Sequence, residues 1–461
     1  MKNYKKIFFF CIVLALIGVT SICFGDSNPG KNSKLTGSIT ILFPWTSPND
    51  MIDSITGLKT KGAYAFQEAL QKKFPNVKIV VNSIPTTNWI QKTETFVTSG
   101  EADIAFYTNQ VQAAKWFTDL KPYMKNDKDV NTNNLDKIFI KQTISAITYH
   151  TFDYPADCGN IYGLPVSMSV YPIYYDKQIF DDWGVAYPKN GATYEQLLAM
   201  AKKMTGKDPK TGKQTYGLYL QPYWLEWHAI GFNAVHSIKV ADMKLANINM
   251  TKDVDYIKNS PDVLRFFSFV SEAVKCAPPG AATATGNENW LTPNNNVAIN
   301  LDINNSSYTG FLLAKRADIT NRFIPLALPK STSGMAGFPE IHSIAISDNC
   351  KNKNLAWEIL KAIATDKSLI DLYIRNYSTG SVTALNDPSG LSVMNLSYNK
   401  WRYKFQKSAF FTTDDYWYWR TPIQGVIGKV LTNQLTPMQA RIQFYNDTKT
   451  WLSNEEKQIS K

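Results

Sequence analysis

An alternation of strand-like and helix-like apolar patterns constrains this chain more than any other feature. Ile39, Ile41 and Phe43 alternate within Gly37 to Pro44, the period of a strand, and the run ends at Trp45-Thr46-Ser47-Pro48. Ala63, Phe66, Leu70 and Phe74 then recur at helical spacing and stop before Pro75. Val77 to Val81 reads as a second strand, and Gly100-Glu101-Ala102-Asp103 leads into a third at Ile104-Ala105-Phe106. Parallel strands need a long crossover, usually a helix, so this order predicts an α/β layer with a parallel sheet. A second series begins near Tyr171. Thr193 with Gln196 forms a capping box ahead of Leu197, Leu198, Ala201 and Met204. Ser260-Pro261 is a cap followed by proline at the first helical position, ahead of Val263, Phe266, Phe267, Val270 and Val274. Leu355, Ile359, Leu360 and Ile363 mark a further helix.

The first residues read differently. Lys2, Lys5 and Lys6 precede an apolar run from Ile7 to Ile22, then Cys23-Phe24-Gly25 and a polar stretch from Asp26 to Ser33. Charge, grease and small residues in that order predict a secretory signal over residues 1–25, since a spanning helix wants ~20 apolar residues. Cys23 and Gly25 suit an ordinary cleavage site with a mature start at Asp26. Lipid attachment through Cys23 is the alternative, and Ile22 before it counts against that. The expected location is the periplasm or cell envelope.

About 436 residues would remain, enough for two or three domains at ~100–200 residues each. Cys158, Cys276 and Cys350 are too far apart for a zinc site and too few for a disulfide framework; free buried thiols are expected, with one bridge between two of them the alternative in an oxidising compartment. The formal charge of +11 falls to +8 without the three leader lysines, and the basic residues form no run that would track a nucleic acid. Aromatic content is more telling: 12 Trp and 24 Tyr exceed what a core requires. Sugar sites use such residues, because the apolar face of a pyranose lies flat on a ring while its hydroxyls find polar partners around it.

Several stretches together resemble the extracellular solute-binding proteins of ABC transporters, the large group that includes maltose- and oligosaccharide-binding proteins. Ser99-Gly100-Glu101-Ala102-Asp103-Ile104-Ala105 is similar to the family's strand entry, and Phe117-Thr118-Asp119-Leu120-Lys121-Pro122-Tyr123 to the turn after it. The longest match runs from Gly159-Asn160-Ile161-Tyr162-Gly163-Leu164-Pro165 through Tyr174-Tyr175-Asp176-Lys177 to Thr193-Tyr194-Glu195. His342-Ser343-Ile344-Ala345-Ile346-Ser347 with Asn354-Leu355-Ala356-Trp357-Glu358 resembles a strand-to-helix return, and Leu435-Thr436-Pro437 opens the C-terminal helix. Ala102 stands where the family has Pro, Asp176 where it has Asn, and an Asn-rich stretch precedes Val297.

What the resemblance implies is a two-lobed α/β periplasmic-binding-protein fold. Each lobe would be a mainly parallel sheet flanked by helices, with three crossing segments and a ligand cleft between the lobes. Lobe 1 would comprise residues 36–165 plus 301–343, and lobe 2 residues 166–300 plus 344–461. The crossings would fall just after Pro165, near Asn300–Asp302 and near Ile344–Asp348. Ligands of such sheets sit beyond the carboxyl ends of the strands.

The candidate ligand residues follow from that placement. Trp45 and Thr46 follow the first strand. By resemblance, Tyr107 takes the family's cleft aromatic, and Asn109 and Gln110 its sugar-hydroxyl partners. Ser169 and Tyr171 lie at the first crossing, and Asp302, Glu340 and His342 where the lobes would meet. Gln221-Pro222-Tyr223-Trp224-Leu225-Glu226-Trp227-His228 matches the family's carboxylate-Pro-aromatic ligand loop, with Gln221 replacing the acid and Glu226 available as a charge. Trp417 sits in Tyr416-Trp417-Tyr418-Trp419-Arg420, a run equally suited to helix packing.

Catalytic motifs, phosphate loops and metal-ligand spacings are missing from the sequence, and Asp127-x-Asp129-x-Asn131 lacks the Gly and Glu of a calcium loop and so reads as a solvated surface turn. No cofactor or metal is expected. The function expected is capture of a carbohydrate, an oligosaccharide, by a monomer that delivers it to ABC permease subunits, without nucleic acid. A polyamine, metal chelate or peptide ligand is one alternative. A secreted carbohydrate-active enzyme is another, and would need two carboxylates ~5–10 Å apart, for which Glu226 with Asp302 or Glu340 is the available pair.

Overall fold

The computed structural model describes residues 32–85, 87–107, 116–148, 159–169, 172–235, 238–239, 254–302, 306–326, 328–329, 341–377, 381–386, 415–416 and 420–459. In chain order the strands are β1 Gly37–Pro44, β2 Met51–Ile52, β3 Lys59–Thr60, β4 Val77–Ile84, β5 Ile104–Tyr107, β6 Leu164–Ser169, β7 Ile173–Asp176 and β8 Gly206–Lys207. They continue with β9 Gln214–Tyr219, β10 Ile238–Lys239, β11 Val297–Asn300, β12 Phe323–Leu326, β13 Ile341–Ile346, β14 Ser381–Thr383 and β15 Asp415–Tyr416. Two main sheets result, ordered β14-β6-β13-β5-β1-β4 and β12-β7-β11-β9-β8.

Each sheet carries its own core. In the first, β1 is covered on both faces, and Phe43 meets Phe66 of the Ala63–Lys73 helix edge-on at 5.2 Å and stacks on Phe106 at 4.3 Å. Helices Lys353–Thr365 and Lys367–Tyr377 add Leu355, Ile359, Ile363, Ile370 and Tyr373 to the same core. The second core gathers Leu197, Phe266 and Val270 with Ile423, Ile427 and Phe444 of the two C-terminal helices, Arg420–Leu431 and Pro437–Ile459. The capping box at Thr193 and Gln196 forms, and the Ser260 hydroxyl accepts from the Val263 amide, so the local start signals operate as expected.

The sheets are mixed rather than mainly parallel. β1 is parallel to β4 and β5, and β11 to β9, but β13 runs against β5 and β6, and β7 against β11 and β12. The reason is the crossings. A strand arriving from the other lobe enters at the end where its neighbours finish, and so must run back.

The expected lobe boundaries need correction. Residues 301–343 were expected in lobe 1, yet β12 hydrogen-bonds β7, and Tyr308 and Phe311 of the Ser306–Leu313 helix pack on Tyr174 and Phe323. A crossing at Asn300–Asp302 would strand those rings without an apolar partner. Residues from 344 onward were expected in lobe 2, but β13, β14 and the helices from Lys353 to Tyr377 complete the first sheet and core; among the described residues the chain returns to the second lobe at β15, which pairs with β10, and in the helices from 420. The chain passes between lobes from Ser169 to Ile173, from Leu326 to Ile341, and between residues 386 and 415.

Asp176, at the position where the family pattern has Asn, caps the Lys177–Trp183 helix. Its fully buried carboxylate takes a forked pair from Arg322, Nε at 2.9 Å and Nη2 at 2.6 Å, plus Asn295 Nδ2 at 2.7 Å. The departure serves the joining of β7 to β12, since a buried charge must be paired. Asp127 is more than a surface turn: it accepts from the Trp357 indole at 2.9 Å and the buried Lys361 ammonium at 2.5 Å. Burial pulls its pKa upward, but Lys361 and the Val130 and Trp357 N–H groups outweigh that and hold it below the usual carboxylate value. Cys276 and Cys350 are buried free thiols, and Cys158 lies outside the described residues.

Candidate functional site

Strand register decides which residues face the crossings. In the first sheet the ends on that side are Pro44 of β1, Ile84 of β4, Tyr107 of β5, Ser169 of β6 and Ile341 of β13. In the second they are Tyr219 of β9, Asn300 of β11, Ile173 of β7 and Leu326 of β12. Both sheets therefore turn the carboxyl ends of their parallel strands toward the connections between them, where ligands of α/β layers sit.

On the first side, the residue after β1 is Trp45, whose backbone is left-handed at φ 65°. A bulky L-residue rarely adopts that region, at a cost of order 1–3 kcal/mol. The bend is held by Thr46, whose hydroxyl donates to Pro44 O at 3.1 Å and whose carbonyl accepts from the Ser83 hydroxyl of β4. It turns the half-buried indole onto the His342 imidazole, 5.2 Å between centroids at 29°, and sets it edge-on to Trp89 at 4.8 Å. Trp89 leans on Tyr107 at 5.0 Å, and Tyr107 meets Trp116 at 5.9 Å. His342 is fixed from behind, its Nδ1 2.8 Å from the hydroxyl of Tyr373, a buried ring lying flat on Phe106 at 4.8 Å. Burial, with the Glu94 charge adding to it, pushes the Tyr107 hydroxyl up to about 12, so it stays neutral and both donates and accepts.

On the second side, the segment expected as a ligand loop is a helix, Pro222–Gly231. Pro222 presets the first turn, and Gln221 O accepts from the Trp224 and Leu225 amides at 3.1 Å each. Gln221 thus caps the helix with its backbone, while its Oε1 is closed off from solvent with no hydrogen-bond partner among the described residues. Trp224 is half-buried against the second core. Glu226 does not offer its charge to the cleft surface: it is fully buried and accepts from Gln424 Nε2. His228 is buried too, with Nδ1 2.9 Å from the Tyr194 hydroxyl and Nε2 2.9 Å from Leu301 O. A carbonyl only accepts, so Nε2 carries the proton and Tyr194 donates to Nδ1. Asp302, half-buried just past β11, donates its amide to Asn300 Oδ1 at 2.7 Å. Burial, then the nearby Asp302 and Glu288 charges, push the Tyr219 hydroxyl up to about 12.

Of the sequence-derived candidates, Trp45, Thr46, Tyr107 and His342 come together on the first sheet, and Gln221, Trp224 and Asp302 at the end of the second. Asn109, Gln110, Tyr171, Glu340 and Trp417 lie outside the described residues, as do the side chains of Ser169 and Tyr223. Trp89, Trp116 and Tyr373 went unrecognised in the sequence. Trp89 had a readable signal, since it follows β4 as Trp45 follows β1. Among the described residues no group of three His, Cys, Asp or Glu could hold a metal, and no helix is long and apolar enough to cross a membrane.

The model of the family described as bacterial extracellular solute-binding protein matches residues 56–369. Among solved structures, an ABC substrate-binding protein from Listeria monocytogenes in complex with cycloalternan superposes with a TM-score of 0.65 at 17% identity, over 91% of this chain and 100% of that one. The sugar-binding protein MalE from Xanthomonas citri gives 0.66 at 13% identity, over 91% and 98%. The GacH receptor of Streptomyces glaucescens, solved unliganded and with acarbose, gives 0.62 at 16% identity, over 91% and 99%. These likenesses carry the two-lobed fold. With the family match running through well over half of its length, from the Thr56 turn to Leu369, this chain belongs to the bacterial extracellular solute-binding proteins.

Proposed function

We propose that the protein captures an oligosaccharide between its two lobes and hands it to the membrane permease of an ABC importer. The observation that carries the reading is the aromatic row Trp45–Trp89–Tyr107–Trp116, with His342 behind it, at the crossing end of the first sheet. Trp45, Trp89 and Trp116 are half-buried and Tyr107 is buried behind them; such rings with neutral hydrogen-bonding groups beside them suit uncharged polyols, whose rings stack and whose hydroxyls need both donors and acceptors. A polyamine would call for a cluster of carboxylates, whereas the acids near the described site are dispersed, Asp302 and Glu288 beside Tyr219 and Glu94 beside Tyr107. The family and the neighbours are binding proteins, and Glu226 is already bonded within its lobe, which leaves the hydrolase pairing with Asp302 without a free partner. Export through the leader, with or without lipid on Cys23, and action as a monomer belong to the same reading.

The test is a thermal-shift screen of the mature protein against a sugar panel. One sugar of several units should raise the midpoint, by the equivalent of ~2.7 kcal/mol at a hundredfold excess over its Kd, and be recovered chemically unchanged. Hydrolysis of that sugar would sink the binding-only reading, and a shift with polyamines or peptides instead would sink the carbohydrate one.

A further inference from the structure

Away from the connections between the sheets, the side chain of Thr56 in the first lobe lies against Gly310 in the second. Thr56 belongs to the β2–β3 hairpin of the first lobe, a hairpin tied down where Asp50 takes the Gly62 amide at 3.0 Å and Asn376 takes the Lys61 amide at 2.8 Å. The Ser306–Leu313 helix of the second lobe presents Gly310 to it. A Cβ at Gly310 would lie 2.8 Å from Thr56 Cγ2, 3.2 Å from Oγ1 and 3.3 Å from Cβ. Thr56 is 3% exposed while its neighbour Ile55 is 66% exposed, so the hairpin tip is open and this one side chain is covered. It also has little freedom to yield: Asp53 Oδ1 takes both its amide and its hydroxyl at 2.7 Å.

The contact sits off the hinge. β5 separates β1, which leads into the hairpin, from β13, the strand that arrives from the second lobe, and β6, the strand that leaves for it, lies one further on. At ~4.8 Å per strand the offsets are about 10 and 14 Å. A methyl group inserted at such a distance acts on the angle between the lobes, not on the packing of either.

We propose that Thr56 and Gly310 form a seat across the cleft that sets how far the lobes close, and that position 310 must be glycine for the closed geometry to be reached. Gly310 is thereby a positioning residue for ligand capture, a role that rests on the binding function proposed above, whereas the contact itself does not. Glycine otherwise weakens a helix relative to alanine, so an alanine here should strengthen the helix while opposing closure.

The test needs no sugar. The pair Thr56→Cys with Gly310→Cys has the Cβ separation of a disulfide, ~3.5–4.5 Å after a small adjustment, and should cross-link under diamide while either single variant does not. In a second arm, spin labels on Tyr64→Cys and Ala317→Cys, exposed positions on the two lobes, report the inter-lobe distance in the unliganded protein. Gly310→Ala should shift that distribution to longer distances with no fall in melting midpoint. Moving the glycine across, Thr56→Gly with Gly310→Ala, should restore it. No cross-link after prolonged oxidation, or a Gly310→Ala distance distribution identical to the parent's, overturns the seat whatever the protein binds. A cross-link together with no response to any sugar leaves the seat standing and removes the oligosaccharide reading instead.

Discussion

Trp45 holds a backbone conformation that glycine would occupy at lower cost, and the energy spent there orients an indole at the end of β1. Such strain persists where the surroundings over-determine it. Here they do: Thr46 and Ser83 fix the bend, and His342 and Trp89 receive the ring. Trp45→Gly and Trp45→Ala both remove the stack and should weaken sugar binding alike, by roughly tenfold. Their unliganded stabilities should differ. Glycine relieves the left-handed strain that alanine retains, so Trp45→Gly should melt higher, by roughly 0.5–1 kcal/mol in chemical denaturation even after its greater unfolded-state entropy. Equal stabilities, or a more stable alanine variant, would show that the bend carries no strain. The tryptophan and its place after a strand were legible in the sequence. Its partner was not, because His342 lies about 300 residues away and arrives through an antiparallel strand that no local pattern announces.

At the scale of elements, the Pro222–Gly231 helix shows both what a sequence reveals and what it hides. Leu225, Ala229 and Phe232 recur at helical spacing and are all buried, a stripe overshadowed by the density of aromatics around it. Glu226 and His228 read as spare functional groups because their partners, Gln424 and the Leu301 carbonyl, come from distant elements. The same limit displaced two of the expected crossings: caps and stripes are local, whereas membership of a sheet is decided by which strand a segment meets. His228 ties this helix to the end of β11, beside Asp302, and gives the tie a pH dependence. Burial lowers its pKa from 6.5 to about 4, against the smaller opposing effect of its bond to Leu301 O. Between those values the unfolded chain binds the proton and the folded one does not. Stability contributed by neutral His228 is therefore complete above pH 6.5, declines as pH falls, and levels off below about 4, a loss on the order of 3 kcal/mol. Melting curves from pH 7 to pH 4.5 should show this decline in the parent. His228→Gln should start less stable at pH 7 and decline less steeply; parallel curves for the two proteins would mean that the decline comes from other groups.

For the molecule as a whole, two separate cores, strand ends turned toward the connections between them, and a small contact at Thr56 and Gly310 are the arrangement expected of lobes that move as bodies. Each sheet end carries part of the candidate site, so a ligand that touches both gains contacts only when the lobes are together. It can drive closure by no more than its difference in affinity for the two forms. Small-angle scattering should therefore show the radius of gyration fall when the sugar identified by thermal shift is added to saturation, with the mass from forward scattering unchanged at that of one chain. A mass that doubles would replace closure with dimerisation. An unchanged curve from a sugar that demonstrably binds leaves two possibilities, and the cysteine pair at 56 and 310 separates them. Rapid cross-linking without sugar would mean that the lobes rest together and the ligand enters during brief openings. Failure to cross-link even with the sugar bound would mean that the lobes stay apart, that the binding site lies within one lobe, and that the aromatic row on the first sheet captures its ligand without help from the second.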